Sequence, residues 1–385
     1  MVNLQINSIA PGDIHLAFFL SRATPLNRWH KMGILEREIA IYRSLSYRLG
    51  SVSIVTSGDA EELDFRPSLG NARLLYNRWG LSPNSYSLLA PWLHRSALRQ
   101  ATIYKTNQPD GAWTGIIAGK IHRKPVVVRA GYLWAEFNRD EGGRGIKAAL
   151  MDKLQAFSFE NANRVLLTTD AMKHQVAQNY RVPPEKITVI PNYVDIQKFK
   201  PQSDVAPIKG RVCYVGRLHP RKNLDLLIKA IANLPELSLV LIGQGEQQSQ
   251  LEQLAHQCQA RVEFMGVTPH DQIPLEINKS EVFILPSSFE GHPKSLIEAM
   301  ACGAAVIATD VAGNRQVVKH RQTGLLCAPT TEAIQAALVE LFADNALRQR
   351  LGRAAAEFAQ QEYSLDRIVQ HEIAMLQSVQ VDHQL

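Results

Sequence analysis

The sequence contains few cysteines and no long hydrophobic run. Its four cysteines, Cys213, Cys258, Cys302 and Cys327, all lie in the second half of the 385 residues, and none forms a CxxC pair. This distribution argues against a disulfide framework or a zinc site, so we interpret them as small core residues in a reducing compartment. No apolar stretch reaches the roughly 20 residues that a membrane-spanning helix requires.

A secretory signal is also lacking by our reading, because the first eleven residues have neither a charged start nor a long apolar segment. We therefore expect a cytoplasmic protein, with peripheral attachment to the inner face of the plasma membrane left open. The composition, 45% hydrophobic and 20% charged, excludes general disorder. The length predicts two domains.

The charge is unevenly distributed along the chain. Residues 1–190 hold 24 Lys and Arg against 15 Asp and Glu, whereas residues 191–385 hold 18 against 21. A basic first half suggests an anionic partner, such as lipid headgroups, a lipid pyrophosphate or an acidic polysaccharide. The alternative is a solvated surface without a partner. Nucleic acid is not expected, since no nucleic-acid-binding signature accompanies the charge.

Both halves alternate predicted strands with predicted helices. The strands of the first half are predicted at 14–21, 51–57, 72–77, 102–107, 125–132, 164–169 and 187–192. Those of the second half are predicted at 211–216, 237–243, 261–266, 281–287 and 305–309. This rhythm predicts parallel sheets with helices on both faces. Residues 191–210 have three prolines and are predicted to be a linker.

The most informative stretch is residues 289–303, FEGHPKSLIEAMACG. It follows a predicted buried strand, places Glu290 in a loop, and then starts a helix with Pro293 at its first position. Glu298 lies on the second turn of that helix. Helix N-termini at the carboxyl edge of a parallel sheet favour phosphate binding. Two carboxylates beside them can bind hydroxyl groups, and a sugar nucleotide presents both phosphate and hydroxyl groups.

The spacing of Glu290 and Glu298 resembles the signature of retaining glycosyltransferases of the GT-B fold, family four. Residues 214–231, YVGRLHPRKNLDLLIKAI, resemble a second motif of that family, with Arg217 and Lys222 in its basic positions. The resemblance covers about 189–324 strongly and the first half only in its strand–helix rhythm. It implies an α/β protein with two Rossmann-like domains facing a central cleft.

The domains implied are an acceptor-binding domain at 1–193, joined by a returning C-terminal helix at about 364–385, and a donor-binding domain at 194–363. The substrates implied are a nucleotide-sugar donor and a saccharide or lipid-linked acceptor, in surface polysaccharide or glycolipid assembly. Family members retain anomeric configuration by front-face attack, which needs no enzymic nucleophile. No metal or other cofactor is expected, because no DxD element is present and Arg217 and Lys222 can supply positive charge.

The resemblance also implies a role for each motif residue. Arg217 and Lys222 are expected to stabilise the departing diphosphate, since cations near a helix N-terminus are unfavourable without an anion. Glu290 is expected to bind a hydroxyl of the donor sugar, and Glu298 the ribose. Backbone and side-chain contacts to the rest of the donor are expected from Gly216, Gly266, Val267, Gly291, His292, Lys294, Ser295 and Leu296.

Three positions in the first half are candidates for the acceptor side. Gly33 ends the loop 22–33 after the first strand, which is otherwise interpreted as an exposed loop with a surface aromatic, Trp29. Arg129 and Tyr132 flank Gly131, where many family members carry a histidine. Arg129 could bind an anionic acceptor or the diphosphate, whereas Tyr132 could simply pack.

Three alternatives to a transferase remain. A glycosidase could use Glu290 and Glu298 as acid and nucleophile, but that would leave Arg217 and Lys222 without a role. A sugar-nucleotide epimerase or hydrolase would share the fold without this carboxylate spacing. A non-catalytic scaffold would not need all four residues.

Overall fold

The chain forms two compact units. The computed structural model describes residues 9–22, 24–133 and 146–384. The first unit comprises Met1–Pro191 and Ile368–Leu385, and the second comprises Asn192–Arg367. The chain therefore leaves the first unit once and returns to it at the C-terminus.

A seven-stranded parallel sheet forms the centre of the first unit. Its strands are β1 (His15–Phe19), β2 (Ser51–Val55), β3 (Arg73–Leu75), β4 (Ile103–Thr106), β5 (Val126–Ala130), β6 (Arg164–Leu167) and β7 (Ile187–Val189). They lie in the order β3-β2-β1-β4-β5-β6-β7, so the strand order reverses between β1 and β4. All seven predicted strands of this half are confirmed.

Helices connect these strands. They are α1 (Leu26–Lys31), α2 (Leu35–Ser46), α3 (Pro83–Leu93), α4 (Arg95–Gln100), α5 (Ala112–His122), α6 (Ile146–Glu160) and α7 (Asp170–Asn179). Ser82 and Thr169 cap α3 and α7 by accepting backbone N–H bonds from Ser85 and Met172. The interpretation of residues 22–33 as an exposed loop is wrong, because they contain α1, and Trp29 is buried on its inner face.

The strands of the first sheet are covered on both faces. Four of the five residues of β1 are buried, and their side chains point alternately to opposite faces. This explains why the sequence of β1 lacks a strict apolar–polar alternation, since both faces of a parallel sheet pack against helices.

The second unit is built on a six-stranded parallel sheet. Its strands are β8 (Ile208–Val215), β9 (Ser238–Ile242), β10 (Val262–Gly266), β11 (Ser280–Leu285), β12 (Ala305–Thr309) and β13 (Leu325–Cys327). Their order is β10-β9-β8-β11-β12-β13, with the reversal between β8 and β11. The five predicted strands are confirmed, and β13 was not predicted.

Eight helices follow in the remainder of the described chain. They are α8 (Leu224–Ala232), α9 (Gln248–Gln257), α10 (Ile273–Asn278), α11 (Lys294–Ala301), α12 (Ala312–Val317), α13 (Thr331–Ala343), α14 (Asn345–Tyr363) and α15 (Leu365–Gln384). In α8, Leu224, Leu227, Ile228 and Ile231 are buried at helical spacing, so one face of that helix supplies part of the second core.

The last helix belongs largely to the first unit, and an ion pair fixes it there. The Lys105 ammonium on β4 donates a short hydrogen bond to Glu372 on α15, and both side chains are almost fully buried. The rings of Phe18 and Tyr42 lie 5.7 and 5.1 Å from the Lys105 nitrogen. Burial lowers the pKa of Lys105, and the Glu372 carboxylate partly offsets that effect.

The predicted linker is not an independent connector. Its first half packs on the second unit, where Phe199 is buried in the core. Val194 exchanges backbone hydrogen bonds with Tyr363 and Leu365 at 2.8 and 2.9 Å. The prolines suggested a linker, but the two apolar side chains between them make these residues part of the fold.

Two other features bear on the sequence predictions. The four cysteines are unbridged, with Cys213 and Cys302 buried and the other two half-buried. Burial raises the pKa of Cys213 to about 12. Over the described ranges, no helix combines the length and the apolar character needed to cross a bilayer.

Candidate functional site

The candidate site of the second unit lies where the strand order reverses. The loop after β8 contains Gly216 to Lys222, and the loop after β11 leads to the start of α11. In doubly wound sheets, ligands bind at the carboxyl ends of the two strands that flank such a reversal. The two motifs that the sequence singled out are therefore neighbours, although Lys222 and Glu290 are 68 residues apart in the chain.

Hydrogen bonds hold these two loops together. The Ser288 N–H donates to the Arg221 carbonyl at 2.8 Å, and the Asn223 side chain donates to the Pro286 carbonyl at 3.0 Å. Asn223 adopts a left-handed backbone conformation, with φ of 48°, between a 3-10 turn (Pro220–Lys222) and α8. These two hydrogen bonds between the loops, which we call the clamp, bring the basic motif next to the carboxylate motif.

Lys222 and Glu290 meet directly in this clamp. The Lys222 ammonium donates a short hydrogen bond to Glu290 Oε1, and the Ser287 hydroxyl donates to the same oxygen at 2.6 Å. Both charged side chains are mostly buried. The ion pair orients Glu290 and holds the ammonium at the edge of the sheet before any ligand binds.

Arg217 has a different partner. Its guanidinium donates to Glu246 Oε2 at 2.9 Å, and His219 Nε2 lies 3.2 Å from the other oxygen of that carboxylate. Arg217 and Glu246 are both substantially exposed. The sequence analysis expected an anion near these two cations, because cations are unfavourable at a helix N-terminus. In the structure without a ligand, Glu246 is the anion beside Arg217 and Glu290 is the anion beside Lys222.

This arrangement leads to a first prediction. Replacing Glu246 with glutamine removes the carboxylate that competes for Arg217, so the affinity for a nucleoside diphosphate should rise by about two- to fivefold. Isothermal titration of the wild-type and Glu246→Gln proteins would measure the change. Glu252→Gln, which alters an exposed carboxylate on α9, is the control. Weaker binding in Glu246→Gln would contradict the competition.

Glu298 lies on the second turn of α11, as predicted. Only 2% of the residue is exposed, and its Oε1 lies 2.9 Å from Nε2 of His270. A carboxylate accepts, so Nε2 carries the proton and donates. The His270 ring lies 4.9 Å from the ring of Phe199. Within the part of the chain that the structure describes, the buried His270 Nδ1 has no hydrogen-bond partner.

Sequence reasoning missed His270. It stands in the polar segment between β10 and α10, four residues after Gly266, and no motif marks it. The hydrogen bond from its Nε2–H fixes the orientation of the Glu298 carboxylate.

The start of α11 differs slightly from the prediction. Pro293 is the N-cap residue, with φ −74° and ψ 109°, and the helix begins at Lys294. Proline still suits this position because its φ is already close to the helical value. Among the described residues no side chain caps the first turn, so the N–H groups of Lys294, Ser295 and Leu296 are the predicted anion donors.

Buried contacts shape the loop ahead of α11. His292 is turned inward, where its carbonyl accepts from the Asn192 side chain at 2.7 Å and its ring lies 5.3 Å from Tyr363. A Cβ on Gly313 would come within 2.2 Å of the Glu290 carbonyl and 2.5 Å of the Gly291 carbonyl. Only glycine therefore allows α12 to support this loop so closely.

A series of buried side-chain hydrogen bonds also supports the loop ahead of α11. The Asn314 side chain donates to the Thr309 carbonyl at 2.9 Å, and the Thr309 hydroxyl donates to the Ser287 carbonyl at 2.5 Å. Ser287 in turn contacts Glu290. Neither Gly313 nor Asn314 was singled out from the sequence, although both follow the last strand of the motif region.

Two glycines after β9, Gly243 and Gly245, allow a close approach of neighbouring loops. A Cβ on Gly243 would lie 2.0 Å from the Gly216 carbonyl, and a Cβ on Gly245 would lie 2.0 Å from the Leu218 carbonyl. These glycines thus let the loop after β9 pack on the loop after β8. Gly266 has a φ of 68° with open space around it, and Val267 beside it is exposed.

The three acceptor-side candidates lie in the first unit. Arg129 is the penultimate residue of β5 and donates to the Asn107 carbonyl at 3.3 Å, while the Gly131 N–H donates to the Gln108 side chain at 2.9 Å. Tyr132 is half-buried. Gly33 has a φ of 68° immediately after α1, so it acts as a helix-terminating glycine.

Solved structures of similar fold cover nearly the whole chain. A sucrose-phosphate synthase from Thermosynechococcus elongatus is 20% identical, with a TM-score of 0.80 over 95% of this chain and 99% of that one. Anabaena Alr3699/HepE, solved with UDP and glucose, is 21% identical, with a TM-score of 0.76 over 94% of this chain and all of that one. The fold is therefore GT-B, with two Rossmann-like domains.

Sequence families agree with the fold. A family model described as Glycosyltransferase Family 4 matches residues 40–198, and a second model, described as Glycosyl transferases group 1, matches residues 195–358. Together the two models cover residues 40–358, so the chain belongs to the glycosyltransferases that they describe, and the resemblance to family four and the predicted fold class are confirmed.

Characterised relatives match over part of their length. The GPI3 subunit of phosphatidylinositol N-acetylglucosaminyltransferase from Saccharomyces cerevisiae is 25% identical over 47% of this chain and 43% of that protein. An Escherichia coli UDP-Gal:alpha-D-GlcNAc-diphosphoundecaprenol alpha-1,3-galactosyltransferase is 30% identical over 45% of this chain and 49% of that protein. The chain thus spans less than half the length of these relatives.

Proposed function

We propose that the protein transfers a sugar from a nucleotide diphosphate donor to a saccharide or lipid-linked acceptor, with retention of anomeric configuration. The observation that carries the proposal is the Lys222–Glu290 pair at the strand-order reversal of the second unit, with Glu290 four residues before the start of α11, where no side-chain cap is described. Cation, carboxylate and free helix N–H groups together match a sugar diphosphate.

In the proposed reaction, the bond between the anomeric carbon and the diphosphate oxygen breaks, and the electron pair leaves with the diphosphate. Lys222 and Arg217 stabilise the charge that develops there. The acceptor oxygen attacks from the face that the diphosphate vacates, and its proton passes to a diphosphate oxygen. No enzymic nucleophile is required, and we propose that the two cations serve without a metal or other cofactor.

The carboxylates have separate proposed roles. Glu290 binds a hydroxyl of the donor sugar, with Lys222 and Ser287 fixing its Oε1. Glu298 binds the ribose hydroxyls. Gly216, Gly266 and Val267 are assigned to the diphosphate and base through their backbone groups.

His270 is proposed to position Glu298. His270→Phe should lower nucleotide affinity by roughly tenfold, because the carboxylate loses the donor that orients it. It should also reduce the preference for ribonucleotides over their 2′-deoxy analogues, which a general loss of structure would not do. Titration with both nucleotides measures the ratio, and His270→Gln should restore part of it.

The matched control for this variant is His256→Phe, at an exposed histidine on α9. We expect it to leave both affinities unchanged. If His270→Phe weakened both nucleotides equally, leaving the ratio of their affinities as in the wild type, the positioning role would be wrong.

The acceptor is assigned to the first unit. Arg129 and Tyr132, at the end of β5, and Gly33 are the proposed acceptor-side residues, and the excess of positive charge in residues 1–190 favours an anionic or membrane-bound acceptor. We further propose a cytoplasmic, peripheral location and a role in surface polysaccharide or glycolipid assembly. The names of the yeast and E. coli relatives, which specify phosphatidylinositol and a diphosphoundecaprenol-bound sugar, support this assignment.

Product analysis tests the proposal. The purified protein is incubated with an α-linked nucleotide sugar and a lipid-linked or saccharide acceptor, and the anomeric proton coupling of the product is measured by NMR. An α-linked product is expected. A β-linked product would contradict retention, and nucleotide release at the same rate without acceptor would favour a hydrolase.

A further inference from the structure

An apolar groove opens on the surface of the first unit. It has a volume of about 440 Å³ and lies among α3, α5 and α6. Its walls are Leu88 from α3, Trp113 and Ile117 from α5, and Leu154 and Phe157 from α6. Leu88 and Phe157 are among the exposed large apolar side chains of the described chain. Water therefore contacts a surface that is unfavourable to hydrate.

The apolar surface continues beyond the groove. Trp92, Ile121 and Leu150 are all exposed, and each lies four residues from a side chain that lines the groove. Residues four apart share one face of a helix, so each of the three helices extends the groove lining by one turn. A contiguous apolar patch of this kind on a folded protein indicates an interaction site. We refer to Leu88, Trp92, Ile121, Leu150 and Phe157 as the apolar face.

The charge around the apolar face is predominantly positive. Residues 65–133 contain ten Lys and Arg and a single acidic residue, Asp110, which pairs with Arg22 at 3.1 Å. Arg95 and Arg99 are exposed on α4, the short helix that follows α3, and Lys120 is exposed on α5. Acidic residues return after position 133, and one of those on α6, Asp152, accepts from the Tyr180 hydroxyl at 2.9 Å.

One of these cations lies directly against the apolar face. The Lys120 ammonium is 5.4 Å from the Phe157 ring and donates to the Asn161 side chain at 2.7 Å. Its aliphatic stem thus runs along apolar surface while its charge stays in solvent. Long basic side chains adopt this arrangement at a membrane interface.

We infer that the apolar face inserts into the interfacial layer of a bilayer that contains anionic lipid. Aliphatic and tryptophan side chains enter the headgroup region, and Arg95, Arg99 and Lys120 contact lipid phosphates. The surrounding charge selects this occupant, because a neutral membrane would leave the cations without partners. The inference deepens the proposed function by assigning the surface that places the first unit on a membrane.

Vesicle sedimentation tests the binding. The full chain is mixed with vesicles of phosphatidylcholine alone, or of phosphatidylcholine with phosphatidylglycerol, at low and raised salt. Binding is expected only with phosphatidylglycerol, and Leu88→Asp should weaken it by about tenfold or more because a charge replaces an inserting side chain. The matched control is Val339→Asp on α13, whose exposure of 47% is close to the 52% of Leu88.

Fluorescence quenching tests the insertion. All five tryptophans lie in the first half of the chain, and lipids brominated on their acyl chains quench tryptophan that enters the bilayer. We expect quenching of the wild type with phosphatidylglycerol vesicles and loss of most of it in Trp92→Phe. Quenching that is unchanged in Trp92→Phe would overturn insertion by this face.

Two further results would overturn the inference. One is vesicle binding that Leu88→Asp leaves unchanged. The other is a concentration-dependent dimer, seen by sedimentation velocity and abolished by Leu88→Asp, which would assign the face to a second copy of the chain. Nucleotide affinity is measured on the same variants. If nucleotide affinity is retained but the wild type does not bind vesicles, the inferred membrane contact is wrong while the proposed function stands.

Discussion

Replacing Lys222 with alanine is expected to lower kcat by roughly 100- to 1000-fold while changing nucleotide affinity far less. The reason is that the ammonium is held by Glu290 at the strand-order reversal, where it can meet charge that develops only as the diphosphate departs. Steady-state kinetics with the donor that binds the wild type measure both quantities. Turnover equal to the wild type would refute the assignment.

The control for this experiment is Lys229→Ala. Lys229 lies on α8, seven residues further on, and forms an exposed pair with Asp225 at 3.7 Å. We expect no change in kcat, since exposed pairs contribute little. Because removing Lys222 also frees Glu290, the double variant Lys222→Ala, Glu290→Gln should lose little more than Lys222→Ala alone. Fully additive losses would show that the two residues act independently.

Replacing Glu372 with alanine is expected to lower the free energy of unfolding of the first unit by about 3–5 kcal/mol. The change leaves the Lys105 ammonium buried without its carboxylate, near the stacked rings of Phe18 and Tyr42. Because all five tryptophans lie between residues 29 and 134, urea unfolding followed by tryptophan fluorescence reports on this unit. An unfolding curve identical to the wild type would contradict the prediction.

Two variants separate the buried charge from the loss of contacts. Lys105→Met combined with Glu372→Leu removes both charges and keeps the volume, so most of the lost stability should return. Asp382 lies on the same helix as Glu372 and forms a more exposed ion pair with Arg164 of β6 at 2.8 Å. Asp382→Ala breaks that pair and should change stability little. A double variant as unstable as Glu372→Ala would show that the pair itself stabilises the unit.

The sequence was sufficient for the strands and for the residues of the carboxylate and basic motifs. Buried parallel strands are short apolar runs, and Glu290, Glu298, Arg217 and Lys222 lie at fixed spacings on loops and helix starts that follow them. Their elements were therefore predictable from local pattern. The Lys222–Glu290 ion pair itself was not predicted, because it depends on how the two loops are clamped.

What the sequence missed depends on distant contacts. Glu372 reads as one more polar residue of an amphipathic helix, and only the position of Lys105, 267 residues earlier, makes it a buried partner. His270 sits in a polar loop and gains its role from Glu298. Trp29 was assigned to the surface because its neighbours are polar, yet α1 turns it inward. Tertiary packing decides all three.

The most direct measurement is a thermal-shift panel of UDP, GDP, ADP and CDP sugars on the wild type and on Glu298→Gln. A ligand that binds only the folded protein raises its melting temperature in proportion to its saturation. We expect one nucleotide class to stabilise the wild type clearly and to lose most of that effect in Glu298→Gln. Stabilisation that Glu298→Gln retains in full, or no stabilisation by any of the four classes, would contradict a nucleotide-sugar site at the carboxyl edge of the second sheet.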